Sequence, residues 1–139
     1  MKSGETAVAT LRRPEVLDDL KKQWPVDRLL IVKLDVTKKQ DIVDAFNKAT
    51  VAFGRVDVVF NNAAFGALGE VEGTPEEDAR RVFDTNFWGA TNVSREAVKV
   101  FREVNKSVGG RLLVVSSMAG IKPIPLIGYY GASKFGEAD

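Results

Sequence analysis

The sequence predicts a doubly wound α/β fold in which about four parallel strands alternate with helices. Two observations carry this expectation. Four short runs, TAVATL (6–11), LLIVKL (29–34), VDVVF (56–60) and RLLVV (111–115), are β-branched and almost continuously apolar. Such runs suit strands covered on both faces, as in a parallel sheet flanked by helices. Between the runs the apolar spacing lengthens to the helical period. The resulting β-α-β-α-β-α-β-α order calls for right-handed crossovers. A chain of 139 residues, 45% hydrophobic and 28% charged, can bury its own core, so residues 1–139 are expected to form one domain.

Each helix has its own signals. Pro14 suits a first helical turn, and Val16, Leu17, Leu20 and Trp24 then form one apolar stripe. Ile42, Phe46, Ala49 and Phe53 form a second stripe, which Gly54 stops. Thr37 with Gln40, and Thr74 with Glu77, have the spacing of capping boxes, and Pro75 strengthens the second. A long helix is expected from there to about residue 105, with Val82, Phe87, Val93, Ala97, Val100 and Phe101 on one broad face. Gly109 and Gly110 end that segment. A last helix is expected to begin near Tyr129 or Tyr130.

Composition narrows the chemistry. With no cysteine and no histidine, disulfides, thiol catalysis and thiolate metal sites are excluded. The carboxylates show no ligand-like spacing, so no metal is expected. A net charge of +1 offers no electrostatic reason to expect nucleic acid or a membrane surface as partner. No apolar run approaches the roughly 18 residues of a membrane span, and MKSGETAVAT has no signal-peptide core. A cytoplasmic location is the expectation that fits the lack of cysteine.

In doubly wound sheets ligands bind beyond the carboxyl ends of the strands, so the residues after each run are the most informative. After the first come Arg12 and Arg13. Two readings stand: solvated surface cations, or a seat for the 2′-phosphate of NADP. After the second comes Asp35, which reads either as a turn residue ahead of the Thr37 cap or as an adenine contact. After the third comes NNAAFG (61–66), whose asparagines suit a tight turn and whose small neighbours let a flat ligand approach the backbone. Asn86 sits in the long helix beside Gly89, which costs a helix interior about 1 kcal/mol; together they suggest a kink or a freed carbonyl. After the fourth run come Ser116 and Ser117. Neither has a histidine to activate it as a nucleophile, and successive strand residues face opposite ways. A hydrogen-bonding role for one of them follows. Finally, Tyr130 and Lys134 are about 40° apart around a helix and share a face, whereas Tyr129 lies off it. A neighbouring ammonium favours the ionised form of an acid, which points to Tyr130 for proton transfer.

In order along the chain, NNAA (61–64), NFWG (86–89), SSMAG (116–120) and YYGASK (129–134) resemble the motifs of the classical short-chain dehydrogenase/reductase family. The resemblance spans essentially the whole chain. It implies a Rossmann-like sheet, NADP(H) as cofactor and a small-molecule carbonyl or alcohol as substrate. In such enzymes a tyrosine exchanges a proton with the substrate oxygen, a role that falls here to Tyr130. Lys134 supports that phenol and binds the nicotinamide ribose. The serine placed thirteen residues before the tyrosine bonds the substrate oxygen, which selects Ser117 over Ser116. Asn86 holds a helix kink and a water in the proton relay. Asp35 and Val36 match adenine contacts, and Asn62, Ala63 and Ala64 match the segment lying against the cofactor, with Ala64 standing where glycine is usual. The arginine pair resembles NADP-preferring members. Residues 65–73 and 118–128 are expected to line one side of the substrate pocket, where Met118, Ile121 and Leu126 permit an apolar substrate.

The family opens with a strand, a glycine-rich turn of pattern T-G-x-x-x-G-x-G and a helix whose N-terminus holds the pyrophosphate. That pattern is absent from these residues. The chain is therefore expected to be an incomplete member, lacking the glycine-rich unit and the C-terminal substrate region. In the family's 3-2-1-4-5 sheet order the missing strand is central, which predicts two strand pairs with open edges facing a gap. Two functional readings follow. One is an NADP(H)-dependent oxidoreductase lineage with an Asn-Ser-Tyr-Lys tetrad, not expected to turn over within this span. The other is a non-catalytic Rossmann-like binding or assembly module. Homo-oligomers are compatible with the family.

Overall fold

The computed structural model describes residues 4–136. Four strands occur where the apolar runs lie: β1 (Ala7–Leu11), β2 (Leu29–Lys33), β3 (Val58–Asn61) and β4 (Arg111–Val114). Helices connect them. A 3-10 turn, Pro14–Leu17, leads into α1 (Asp18–Gln23), and α2 spans Lys39–Phe53. The long helix runs as α3 (Glu76–Phe83), a π segment Asp84–Gly89, α4 (Ala90–Lys99) and a second π segment Val100–Val104. After a 3-10 turn, Met118–Gly120, comes α5 (Gly128–Gly136).

The strands form two parallel pairs. β1 runs beside β2 from Ala7 opposite Leu29 to Leu11 opposite Lys33. β3 runs beside β4 from Val58 opposite Arg111 to Asn61 opposite Val114. Among the described residues no ladder joins the pairs, so the interrupted sheet expected from the resemblance is what the chain forms.

One core spans the interruption. Val36, Ile42, Phe46, Val93, Ala97, Val100 and Phe101 are buried together, with Leu34, Val56, Val59 and Leu112 packed against them. Residues just after β2 and residues of β3 and β4 thus share a core with α2 and α4. The other face of the second pair is bare: Val58, Phe60 and Leu113 are exposed. For β3 and β4 the expectation of strands covered on both faces is corrected, because among the described residues no helix covers this face; β2 is buried on both, at Leu29 and Val32.

Glycines set two close approaches. A Cβ on Gly110 would lie 2.3 Å from the Phe101 ring, so only glycine lets the chain leading into β4 press on that core residue. A Cβ on Gly89 would lie 2.8 Å from Val36 Cγ2. The glycine that costs the helix stability is thus what lets the second half of the fold lie on the end of β2. Gly54 ends α2 as expected, in the left-handed conformation at φ 79°.

Both expected capping boxes are absent. α2 is preceded by Lys38 and α3 by Pro75, neither with a side-chain cap. Thr37 Oγ1 donates instead to Asp35 Oδ1, and Thr74 Oγ1 donates back to the Glu70 carbonyl. Nearby acceptors captured both hydroxyls, a competition that spacing does not reveal. The first stripe is also incomplete, since Val16 is exposed while Leu17, Leu20 and Trp24 are half-buried. Among the described residues no helix is long and apolar enough to cross a membrane.

Candidate active site

The candidate residues gather at the carboxyl ends of the strands. At the end of β3 the two asparagines divide their labour. Asn61 is buried, and its Nδ2 donates to the Ala90 carbonyl at 2.8 Å and to Ser94 Oγ at 3.2 Å. It locks the strand end to α4. Asn62, Ala63 and Ala64 are exposed, so the small residues line an open shelf.

Asn86 occupies the π segment and is fully buried. Its Oδ1 accepts from the Phe65 N–H at 3.0 Å, and its Nδ2 donates to the Phe65 carbonyl at 2.8 Å and to Ser133 Oγ at 3.0 Å. The side-chain amide pairs with the Phe65 backbone as a neighbouring strand would. Ser133 Oγ in turn donates to the Tyr130 carbonyl at 2.7 Å. Asn86 therefore ties the loop after β3 to α5, and the irregularity expected at this position is a π turn. Both amide hydrogens are committed, so a water held by this residue has only its oxygens to bond.

α5 presents Tyr130 and Lys134 one turn apart. Lys134 is buried, and its Nζ donates to the Val115 carbonyl at 2.8 Å, among its contacts. Tyr130 is half-buried with its ring against Gly66, where a Cβ would lie 3.3 Å from Cδ2. The phenol has no hydrogen-bond partner among the described residues. The 3-10 turn after β4 is pressed onto the same helix: a Cβ on Gly120 would lie 2.8 Å from the Lys134 carbonyl oxygen. Ser117 caps that turn, its Oγ accepting from the Ala119 N–H at 3.2 Å. The Ser117 hydroxyl is left with a hydrogen to donate. Ser116 is exposed.

The second cluster lies at the ends of β1 and β2. Arg12 and Arg13 are exposed. Asp35 Oδ1 accepts from both the N–H and the hydroxyl of Thr37, at 3.1 and 2.7 Å. Burial pushes the Asp35 carboxyl upward, but the Thr37 bonds and the nearby charges of Lys38 and Arg12 outweigh it and hold the group below its usual range. Asp35 is thus a turn residue, though not ahead of a Thr37 cap. The Val36 side chain belongs to the core, so its backbone is what remains for a ligand. Val36 on Gly89 brings this cluster next to the Asn86 turn.

A cavity of about 320 Å³ opens beside Tyr130, lined by Ala64, Phe65, Gly66, Ala67, Leu68 and Ile127. Of the two spans expected beside a substrate, residues 65–68 and Ile127 line this cavity, whereas Met118, Ile121 and Leu126 are exposed and do not. A larger groove of about 610 Å³ runs along α4 past Arg95, Lys99 and Arg102. None of the candidate catalytic residues lines it. Sequence reasoning missed Ser133 and the structural role of Asn61, because nothing in their spacing marks them as buried.

Comparison with known proteins places this arrangement. Residues 1–138 match the short chain dehydrogenase family model. An uncharacterized oxidoreductase of Schizosaccharomyces pombe is 44% identical over 95% of this chain and 43% of its own length. A short-chain dehydrogenase from Streptomyces avermitilis superposes with a TM-score of 0.87 at 32% identity, over 98% of this chain and 49% of its own. A 3-ketoacyl-(acyl-carrier-protein) reductase from Brucella melitensis, complexed with NADH, gives 0.85 at 27% identity, over 96% and 56%. The chain thus spans about half the length of the relatives it matches. Motifs, strand order and similarity agree: the chain belongs to the short-chain dehydrogenase family of oxidoreductases.

Proposed function

We propose that this chain carries the proton-transfer residues of an NADP(H)-dependent carbonyl/alcohol oxidoreductase, with Asn86, Ser117, Tyr130 and Lys134 as its tetrad. The observation that carries the reading is an uncommitted phenol next to a committed lysine. Tyr130 has no hydrogen-bond partner among the described residues, while Lys134, one turn on, is buried with its ammonium on the Val115 carbonyl. The Tyr130 hydroxyl is not among buried atoms left without a partner, so it stays open to water or to a substrate oxygen.

The residues present fit the two ends of a dinucleotide. Arg12 and Arg13 are exposed and suit a phosphate monoester, which guanidinium groups bind by paired hydrogen bonds. Asp35 and the Val36 backbone border the same end. Asn62, Ala63 and Ala64 offer the small open surface that a flat ring needs. Between β1 and β3, where a pyrophosphate would run, no strand lies among the described residues. When bound, the nicotinamide supplies or accepts a hydride. Ser117 donates to the substrate oxygen, and Tyr130 gives that oxygen its proton in reduction or takes it in oxidation. Lys134 steadies the charge near the phenol, and Asn86 holds the two loops around it. The Brucella neighbour's NADH supports a nicotinamide dinucleotide; the arginine pair favours NADP.

NADPH fluorescence during titration, followed by a carbonyl-reduction assay, tests the reading. Tyr130→Phe is expected to leave NADPH binding in place and to lower turnover at least ~100-fold, the usual worth of a general acid. Unchanged turnover would remove Tyr130 from the mechanism. A second reading, a binding or assembly module without catalysis, draws on the separate strand pairs and their unpaired edges. A folded chain that shows no saturable NADPH binding would favour it.

A further inference from the structure

Two loops meet over Tyr130, and their junction is built. The Gly69 N–H donates to the Leu126 carbonyl at 2.8 Å, and Gly69 forms a parallel bridge with Ile127. A Cβ on Gly128 would lie 2.9 Å from Val71 Cγ2, so the Val71 side chain also packs close to the Gly128 backbone. Leu126 reaches this position with φ 66°, the single non-glycine residue with positive φ among those described. A leucine held there is strained, and such strain persists only where the surroundings impose it. The first loop is also fixed at its other end, where Asn86 holds both backbone groups of Phe65.

We propose that this clasp, closed by Gly69 and Leu126, holds residues 65–68 and Ile127 as one preformed apolar wall that selects uncharged carbonyl compounds bearing an apolar group. The inference rests on the oxidoreductase reading for Tyr130 as the reacting group. Phe65, Leu68 and Ile127 supply the apolar surface, and Tyr130 is the one residue with a polar side-chain group among the described residues that line the cavity. Among the described residues no charged side chain lines it. Arg81 touches the wall residue Phe65, its guanidinium 5.6 Å from the ring centroid, and is paired with Asp78. The cavity is open on the Leu68 side, so a carboxylate seated against the wall would lose part of its water, with no cation among the described lining residues to replace it. The volume of about 320 Å³ suits an aryl ring with a short substituent, given that roughly 150 Å³ accommodates benzene.

The test uses two probes of similar size, acetophenone and the anion phenylglyoxylate, titrated into the ¹⁵N-labelled chain. Acetophenone is expected to shift the Gly66 and Gly69 amide signals saturably, with phenylglyoxylate at least ~10-fold weaker. Leu68→Glu, at a position 79% exposed and so safe for folding, is expected to weaken acetophenone ~10-fold. Leu126→Pro, which forbids the left-handed φ, is expected to do the same while breaking the clasp. Equal or tighter binding of phenylglyoxylate, acetophenone shifts that spare Gly66 and Gly69, no acetophenone binding, or an unaffected Leu68→Glu would each overturn the wall. An NADPH assay separates the two ideas. Tyr130→Phe that reduces acetophenone as fast as the parent would sink the redox reading alone, whereas phenylglyoxylate reduced as fast as acetophenone would sink the wall alone.

Discussion

Removing the Asn86 side chain should cost stability and loosen the site together. In Asn86→Ala three hydrogen bonds disappear, to the Phe65 N–H, the Phe65 carbonyl and Ser133 Oγ. At roughly 0.5–1.5 kcal/mol net for each bond, the loss sums to about 1.5–4.5 kcal/mol. The Phe65 groups are near solvent and can recover water, which argues for the lower half of that range. Ser133 is buried and keeps only its bond to the Tyr130 carbonyl. We therefore expect about 2–3 kcal/mol, a large share of the 5–15 kcal/mol typical of a domain. Asn86→Asp separates geometry from charge. It keeps the acceptor for the Phe65 N–H but faces the Phe65 carbonyl with a second carboxyl oxygen. Burial favours its neutral form, raising its folded pKa above the unfolded value. The folded state then holds the extra proton, so the stability of this variant should fall as pH rises from the unfolded pKa towards the folded one. Urea unfolding at pH 4 and pH 7 measures both effects. An Asn86→Ala variant within about 0.5 kcal/mol of the parent, the usual range of an uninvolved surface change, would refute the view that this amide holds the loop to α5.

Two further outcomes follow from the same geometry. Asp35 has its folded pKa lowered from the ordinary 3.8, so its charge stabilises above that value and the contribution is lost as pH falls through the folded pKa. Asp35→Asn, which keeps an acceptor for Thr37, should be less stable than the parent at pH 7 and converge with it below pH ~3.8 in urea midpoints. Gly110→Ala should destabilise by at least about 1–3 kcal/mol, because its methyl must displace the buried Phe101 ring. Gly131→Ala meets only the Ala119 carbonyl at 3.5 Å and should gain up to about 1 kcal/mol of helix propensity. Thermal melts of the pair check both signs.

Much of the architecture was legible in order. The apolar runs locate all four strands to within two residues, because a buried strand must be apolar wherever it is covered. Gly54 and the stripe of α2 read correctly for the same reason. The capping boxes failed at Thr37 and Thr74 because a hydroxyl bonds whichever acceptor is nearest, and Asp35 and the Glu70 carbonyl were nearer than the helix starts. Gly89 read as a helix defect; its contact with Val36 joins residues 53 positions apart, which no local pattern contains.

For the site, the sequence by itself supplied the candidates: without histidine or cysteine, the Tyr130–Lys134 pair on one helix face is what the proposed proton transfer rests on. Helical periodicity suffices there, since both groups lie on one element. Whether those groups have partners depends on other elements. That Lys134 sits on the Val115 carbonyl, that Asn86 holds Phe65 and Ser133, and that Leu126 is forced left-handed to clasp Gly69 were decided only when β3, β4, the π turn and α5 came together. Bonds between residues some 19 to 57 positions apart exist only after the chain has closed those loops, so only the tertiary structure could settle them.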